Sequence, residues 1–171
     1  MIKNPLLLLI LVALVCSCDS MQSASPTMKK TVLEDLANDY ARAGFERLSQ
    51  HCVALREATQ TVCNSLSAAA LGEAREAWKN VRVTQKQLEL IQFGPIKEYP
   101  LRLGPLLDSW PVNEKAIEDL TVDGVDLSQS AFDTRGSKHR GVPVLEYLLW
   151  RAEPTTLGAL TTSTRRCEVL V

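Results

Sequence analysis

Gly141-Val-Pro-Val-Leu-Glu-Tyr-Leu-Leu-Trp150 is the stretch on which the reading of this chain turns. It leaves a polar, Gly-bearing loop at residues 134–140 and becomes apolar at once. Pro143 suits the first position of a helix, where its fixed φ is helical and its missing N–H would be unpaired anyway. Glu146 then falls in the first turn, near the positive end of the helix dipole. Val144, Leu145, Leu148 and Leu149 make an apolar stripe with helical spacing. A helix this short and greasy needs other helices to dock on.

The flanking sequence supplies them. Residues 30–66 carry Leu33, Leu36, Tyr40, Gly44, Leu48, Cys52, Leu55, Thr59, Val62 and Leu66 at spacings of three and four. That predicts one long amphipathic helix, or a helix with one break, with Gly44 as a close-packing point. His51 beside the stripe reads as a hydrogen-bonded interface histidine. After a linker at 65–69, Leu71, Ala74, Trp78, Val81, Leu88 and Ile91 mark the buried face of a second helix, which Phe93-Gly94-Pro95 stops. Glu76 with Lys79, and Lys86 with Glu89, have the i,i+3 spacing of helical ion pairs, and the charged face that includes Arg82 reads as solvated. A short helical piece fits around Leu106 to Trp110, and Pro111 ends it. Asn113 to Leu120 predicts another, with Ala116, Ile117 and Leu120 inward. Residues 121–140 read as loop, from Asp123-Gly124, Asp133 and Gly136. Thr161 to Thr164 reads as a helix N-cap region before Arg165-Arg-Cys-Glu-Val-Leu-Val171. That helix has a start signal and no stop, so the chain reads as truncated there. No strand pattern of any length occurs. The fold class expected over residues 30–171 is an all-α helical bundle.

With 171 residues there is room for one domain with a real core. The net charge of −1 and the lack of a basic block give no reason to expect a nucleic-acid partner. Two histidines, His51 and His139, limit any histidine-rich metal site. Residues 1–17 read as a signal peptide: Lys3, then an apolar run from Pro5 to Val15, too short to span a bilayer comfortably. Val15-Cys-Ser-Cys18 looks like a lipobox, with Cys18 as the lipidated residue. Residues 18–29 then form a small, polar tether. The expected location is the bacterial envelope, on a periplasm-facing lipoprotein held by its N-terminal lipid, with inner or outer membrane left open. Cys52 and Cys63 lie eleven residues apart on one expected helix, roughly 16 Å, too far to bridge. Export leaves a pair with Cys167 open; buried free thiols are the expected state.

Ala74-Arg-Glu-Ala-Trp78, Phe93-Gly94-Pro95, Asp108-Ser-Trp-Pro111, Gly141 to Trp150 and Arg165-Arg-Cys167 together resemble the imelysin family, over about residues 30–171. The resemblance implies an all-helical protein of two related bundles, exported, often lipid-anchored, and linked to iron uptake or regulation. By that likeness this chain supplies the first bundle. The family motif Gly-x-His-x-x-Glu reads here Gly141-Val-Pro-Val-Leu-Glu146, which resembles a divergent branch. With Pro143 in place of the imidazole, Glu146 is a single carboxylate, a weak grip on iron or another divalent metal. His139 lies in the preceding loop and is not brought to it by helical spacing. Asp108 and Arg102 are candidates for the same pocket, although turn capping by Asp108 and a solvated Arg102 is the plainer reading.

Three functions compete. The first is an envelope binding protein for iron or another metal-linked ligand, with envelope iron-uptake proteins as partners and Glu146, Asp108 and Arg102 as ligand-binding candidates. The second is an imelysin-type metallopeptidase, against which the missing His-Glu-x-x-His and the two scattered histidines argue; no catalytic residue is assigned. The third is a helical interaction protein with no small-molecule site.

Overall fold

The computed structural model describes residues 25–151 and 164–171. The signal peptide, Cys18 and most of the tether lie outside the described residues, as does the connection 152–163. The described elements are all helical. The chain divides into two compact units, one up to Asn38 and one from Asp39 to Val171.

In the first unit, α1 (Pro26–Asp35) starts inside the stretch expected to be tether. Ser25 caps it by accepting from the Met28 N–H at 3.2 Å, and Pro26 opens it. It buries none of its residues, so Leu33 is exposed where the stripe predicted burial. Leu36–Arg42 is a π-helix, which supplies the break. The extra residue per turn rotates the stripe, and Leu36 and Tyr40 are exposed as well.

The second unit is organised by a helical hairpin. α2 (Ala43–Ser65) ends on Leu66 in the left-handed region, with its N–H returned to the Val62 carbonyl at 2.7 Å. Ser67 then caps α3 (Ala68–Leu88) by accepting from the Ala70 N–H at 3.1 Å. A connection this short makes antiparallel neighbours. Gly44 is the close-packing point: a Cβ there would sit 2.6 Å from the Leu88 side chain. His51 Nδ1 lies 3.1 Å from the Asn80 carbonyl and 3.0 Å from the Thr84 hydroxyl, an interface histidine as expected. Cys52, expected on the buried stripe, is exposed and a free thiol.

α3 stops at Leu88, earlier than Gly94, and Gly94–Ile96 forms a 3₁₀ turn. α4 (Gly104–Leu107) and α5 (Glu114–Leu120) follow, the latter capped by Asn113. The loop expected at 121–140 contains α6 (Gln129–Thr134), capped by Ser128, and a 3₁₀ turn Ser137–His139. α7 (Val142–Trp150) packs on α3, and α8 (Thr164–Leu170) packs on α2, α5 and α7. Val62, Ala74, Ile117, Leu148, Leu149 and Leu170 form the core where these helices meet.

The α3–α7 contact has polar clamps. The Trp78 Nε1–H donates to the Val142 carbonyl at 2.8 Å, at the start of α7. Arg75 donates from Nε and a terminal nitrogen to the Leu149 carbonyl at 3.0 and 2.8 Å, near its end. Trp78 meets Trp150 edge to face, and the Arg75 guanidinium lies over the Trp150 ring. A disulfide, Cys63–Cys167, ties α2 to α8, in place of the buried free thiols expected for these two positions. The two cysteines are 104 residues apart in sequence, and no local pattern joins them.

Candidate functional site

A concavity lies where the segment after α3 folds back over the α2–α3 hairpin. Its backbone is pinned by its own hydrogen bonds. The 3₁₀ turn at Gly94 takes the Lys97 and Glu98 N–H groups on the Gly94 carbonyl. The Leu103 N–H returns to the Pro95 carbonyl at 3.0 Å, and Gly104 lies against the Ile96 carbonyl, 3.0 Å from where a Cβ would be. The result is a cleft of about 530 Å³, within the range of small-ligand sites. Phe45 and Leu48 of α2 and Leu88 of α3 give it an apolar wall, and Gln85, Lys97, Arg102 and Asp108 give it polar groups.

Asp108 is the best-anchored of these. One of its oxygens takes Arg82 at 2.6 Å and Lys86 at 3.1 Å, both from α3. Its side chain is 17% exposed, so the pair with Arg82 is largely out of solvent. Burial by itself pushes the Asp108 pKa up; the hydrogen bonds and charges of Arg82 and Lys86 outweigh it and hold the carboxyl below the usual range. Lys86 is pushed up by its hydrogen bonds to Glu89 and Asp108. The other Asp108 oxygen is buried without a partner among the described residues. Asp108 is thus an ion-pair hub as well as the end of α4, and the Arg82 face is not simply solvated.

Arg102 sits on the same cleft and is exposed. Its backbone is left-handed, with φ at +42°. The guanidinium donates to the Tyr99 hydroxyl at 2.9 Å and lies over that ring at 5.3 Å. Non-glycine residues adopt this backbone at a cost, and such positions concentrate at functional sites.

Glu146 is elsewhere. It is half-buried on α7 and is not among the residues lining the cleft. α7 begins at Val142, so Pro143 is its second residue and Glu146 lies past the first turn, not within it. No hydrogen bond or ion pair joins Glu146 to another described residue. His139 contacts the Gly136 carbonyl at 3.3 Å instead. Among the described residues there is no group of three or more His, Cys, Asp or Glu able to hold a metal ion. Glu146 therefore belongs to no such group among the described residues. Sequence reasoning brought Asp108 and Arg102 to one pocket but missed Arg82 and Lys86. Their spacing of four on α3 was the available signal, once an acid was known to face them.

Comparison with known proteins adds three findings. The family model described as Imelysin matches residues 41–171. A relative, "Iron-regulated protein A" of Synechococcus elongatus, is 28% identical over 104 residues, covering 61% of this chain and 27% of that protein. No solved structure matches.

Proposed function

The chain belongs to the imelysin family, and from that premise we propose that it is an exported, lipid-anchored binding protein of the bacterial envelope, serving iron handling through an organic ligand held in the cleft. The observation that carries this reading is the cleft itself: about 530 Å³, with an apolar wall and charged groups among its lining residues. The relative's name, "Iron-regulated protein A", supports the link to iron. The Cys63–Cys167 disulfide supports export, because such bonds persist in oxidising compartments. Cys18 would carry the lipid, and envelope iron-uptake proteins are the partners this location offers.

Iron would arrive bound to its carrier molecule. Among the described residues Glu146 joins no group of donors able to hold the bare ion. A catalytic zinc needs three protein ligands, and the described residues offer no such cluster.

Equilibrium dialysis with radioactive iron, given as ferric citrate and as ferrous ion alone, tests the reading. The citrate complex should bind and the bare ion should not. Stoichiometric binding of ferrous ion, lost in Glu146→Ala, would overturn it in favour of a metal site on α7. Mass spectrometry of the N-terminal peptide should find acyl chains on Cys18; an unmodified Cys18 behind an intact leader would remove the anchor.

A further inference from the structure

A second cavity adjoins the cleft. It measures about 360 Å³ and is lined by Ala41, Phe45, Ile91, Phe93, Pro95 and Ile96, all apolar. Phe45 and Ile96 line both cavities. The two share a wall; the smaller is lined by apolar residues alone and the larger also by charged ones.

Lys97 and Arg102 line the larger cavity together with two carboxylates, Glu89 and Asp108. Both carboxylates are already taken: Glu89 by Lys86 at 2.5 Å, and Asp108 by Arg82 and Lys86. Lys97 and Arg102 have no carboxylate partner among the described residues, and both face the cleft. A cavity with two cations free of carboxylate partners, adjoining one walled by Phe and Ile, is complementary to one kind of molecule.

We propose that the cleft and its apolar extension form a single site for an anionic amphiphile, with a carboxylate head at Lys97 and Arg102 and a hydrocarbon body along Phe45, Ile96 and Phe93. This rests on the reading that the cleft holds an organic ligand, and names the chemistry of that ligand. Arg102 is suited to the head, because a guanidinium grips a carboxylate with two parallel N–H groups. Gln85 adds a neutral polar group on the same wall. The tail gains by leaving water: a fully buried methylene is worth roughly fourfold in affinity. The groove is open, so a smaller factor is expected.

The probes are dodecanoate, octanoate, dodecanol and ferric citrate, titrated calorimetrically into the purified protein. Dodecanoate should bind at least about tenfold more tightly than octanoate and than dodecanol. Lys97→Gln with Arg102→Gln should weaken dodecanoate about tenfold and leave dodecanol unchanged. Phe93→Ser should weaken both long-chain probes; Phe93 is 68% exposed, so its replacement leaves folding intact. Helical circular dichroism of each variant checks that point. Dodecanoate binding that ignores the head-group variants, or no dodecanoate binding while ferric citrate binds, overturns the amphiphile and leaves the cleft reading standing. Failure of all four probes overturns both.

Discussion

Gly141→Ala is the sharpest test of how α7 is seated. Gly141 has φ +94° and ψ −178°, a region open essentially to glycine alone. A Cβ there would lie 2.6 Å from the Leu107 carbonyl oxygen and 2.7 Å from that of Leu106. These are backbone atoms, so no rotamer change relieves the contact. The Leu107 N–H is itself bonded to the Leu103 carbonyl, which resists movement of α4. The forbidden backbone region costs about 1–3 kcal/mol, and the forced shift of α4 or α7 a further 1–3 kcal/mol or so. A loss of about 3 kcal/mol lowers the melting temperature by about 6–12 °C for a domain of this size. In urea the midpoint should fall by roughly 1–2 M. The assay is urea denaturation followed by circular dichroism, with Gly72→Ala alongside. Gly72 is exposed inside α3, with nothing within 4 Å of its Cβ position. Its alanine should stabilise by about 0.5–1 kcal/mol. A Gly141→Ala midpoint within about 0.3 M of the parent, a change of under 1 kcal/mol, would refute the seating described.

The disulfide closes a loop across 104 residues, and breaking it by Cys63→Ser with Cys167→Ser should cost up to about 4 kcal/mol. Peptide mapping without reductant should find Cys63 joined to Cys167 and Cys52 alkylated. Asp108 is held below the usual carboxylate range, so its ion pairs add stability that is present above about pH 4 and lost as pH falls through its lowered folded value. Asp108→Asn should flatten that acid limb in urea midpoints measured against pH. Tyr147 donates to Glu118 at 2.7 Å; burial first, then that hydrogen bond, pushes its phenol up to about 12. Its folded pKa is raised, so this contribution is complete below pH 10 and lost as pH rises through about 12. Absorbance titration should show a tyrosine ionising near that value, and Tyr147→Phe should remove it.

What was legible in the sequence was local. The stripes on α2 and α3 recur every three or four residues, and Leu55, Val62, Leu71, Ala74 and Val81 are buried as they indicate. The pairs Glu76–Lys79 and Lys86–Glu89 form as their spacing predicts. The stripe failed at Leu36 and Tyr40, where a π-helical segment changes the period that the reading assumes. α6 was missed because its six residues are too few to show a period, and its start signal, Ser128, sits among other turn residues. Cys63 with Cys167, Glu118 with Tyr147, and Asp108 with Arg82 all join residues far apart in the chain. No window of sequence contains both partners, and periodicity carries no information about which helix meets which. The cleft inherits that limit: Asp108 and Arg102 stood out by their turns, whereas its walls come from three separate segments.

α3 touches α7 in antiparallel order: Arg75 holds the carbonyl near the far end, and Trp78, one turn on, holds the near one. Two anchors of different chemistry on one rod stop a neighbour from sliding or rolling. The same rod carries Arg82 and Lys86 a little further along, gripping Asp108. α3 therefore acts as a surveyor's baseline, from which both the Glu146 helix and the cleft are measured. A ligand entering the cleft would meet a wall whose far side is held to that frame through Asp108.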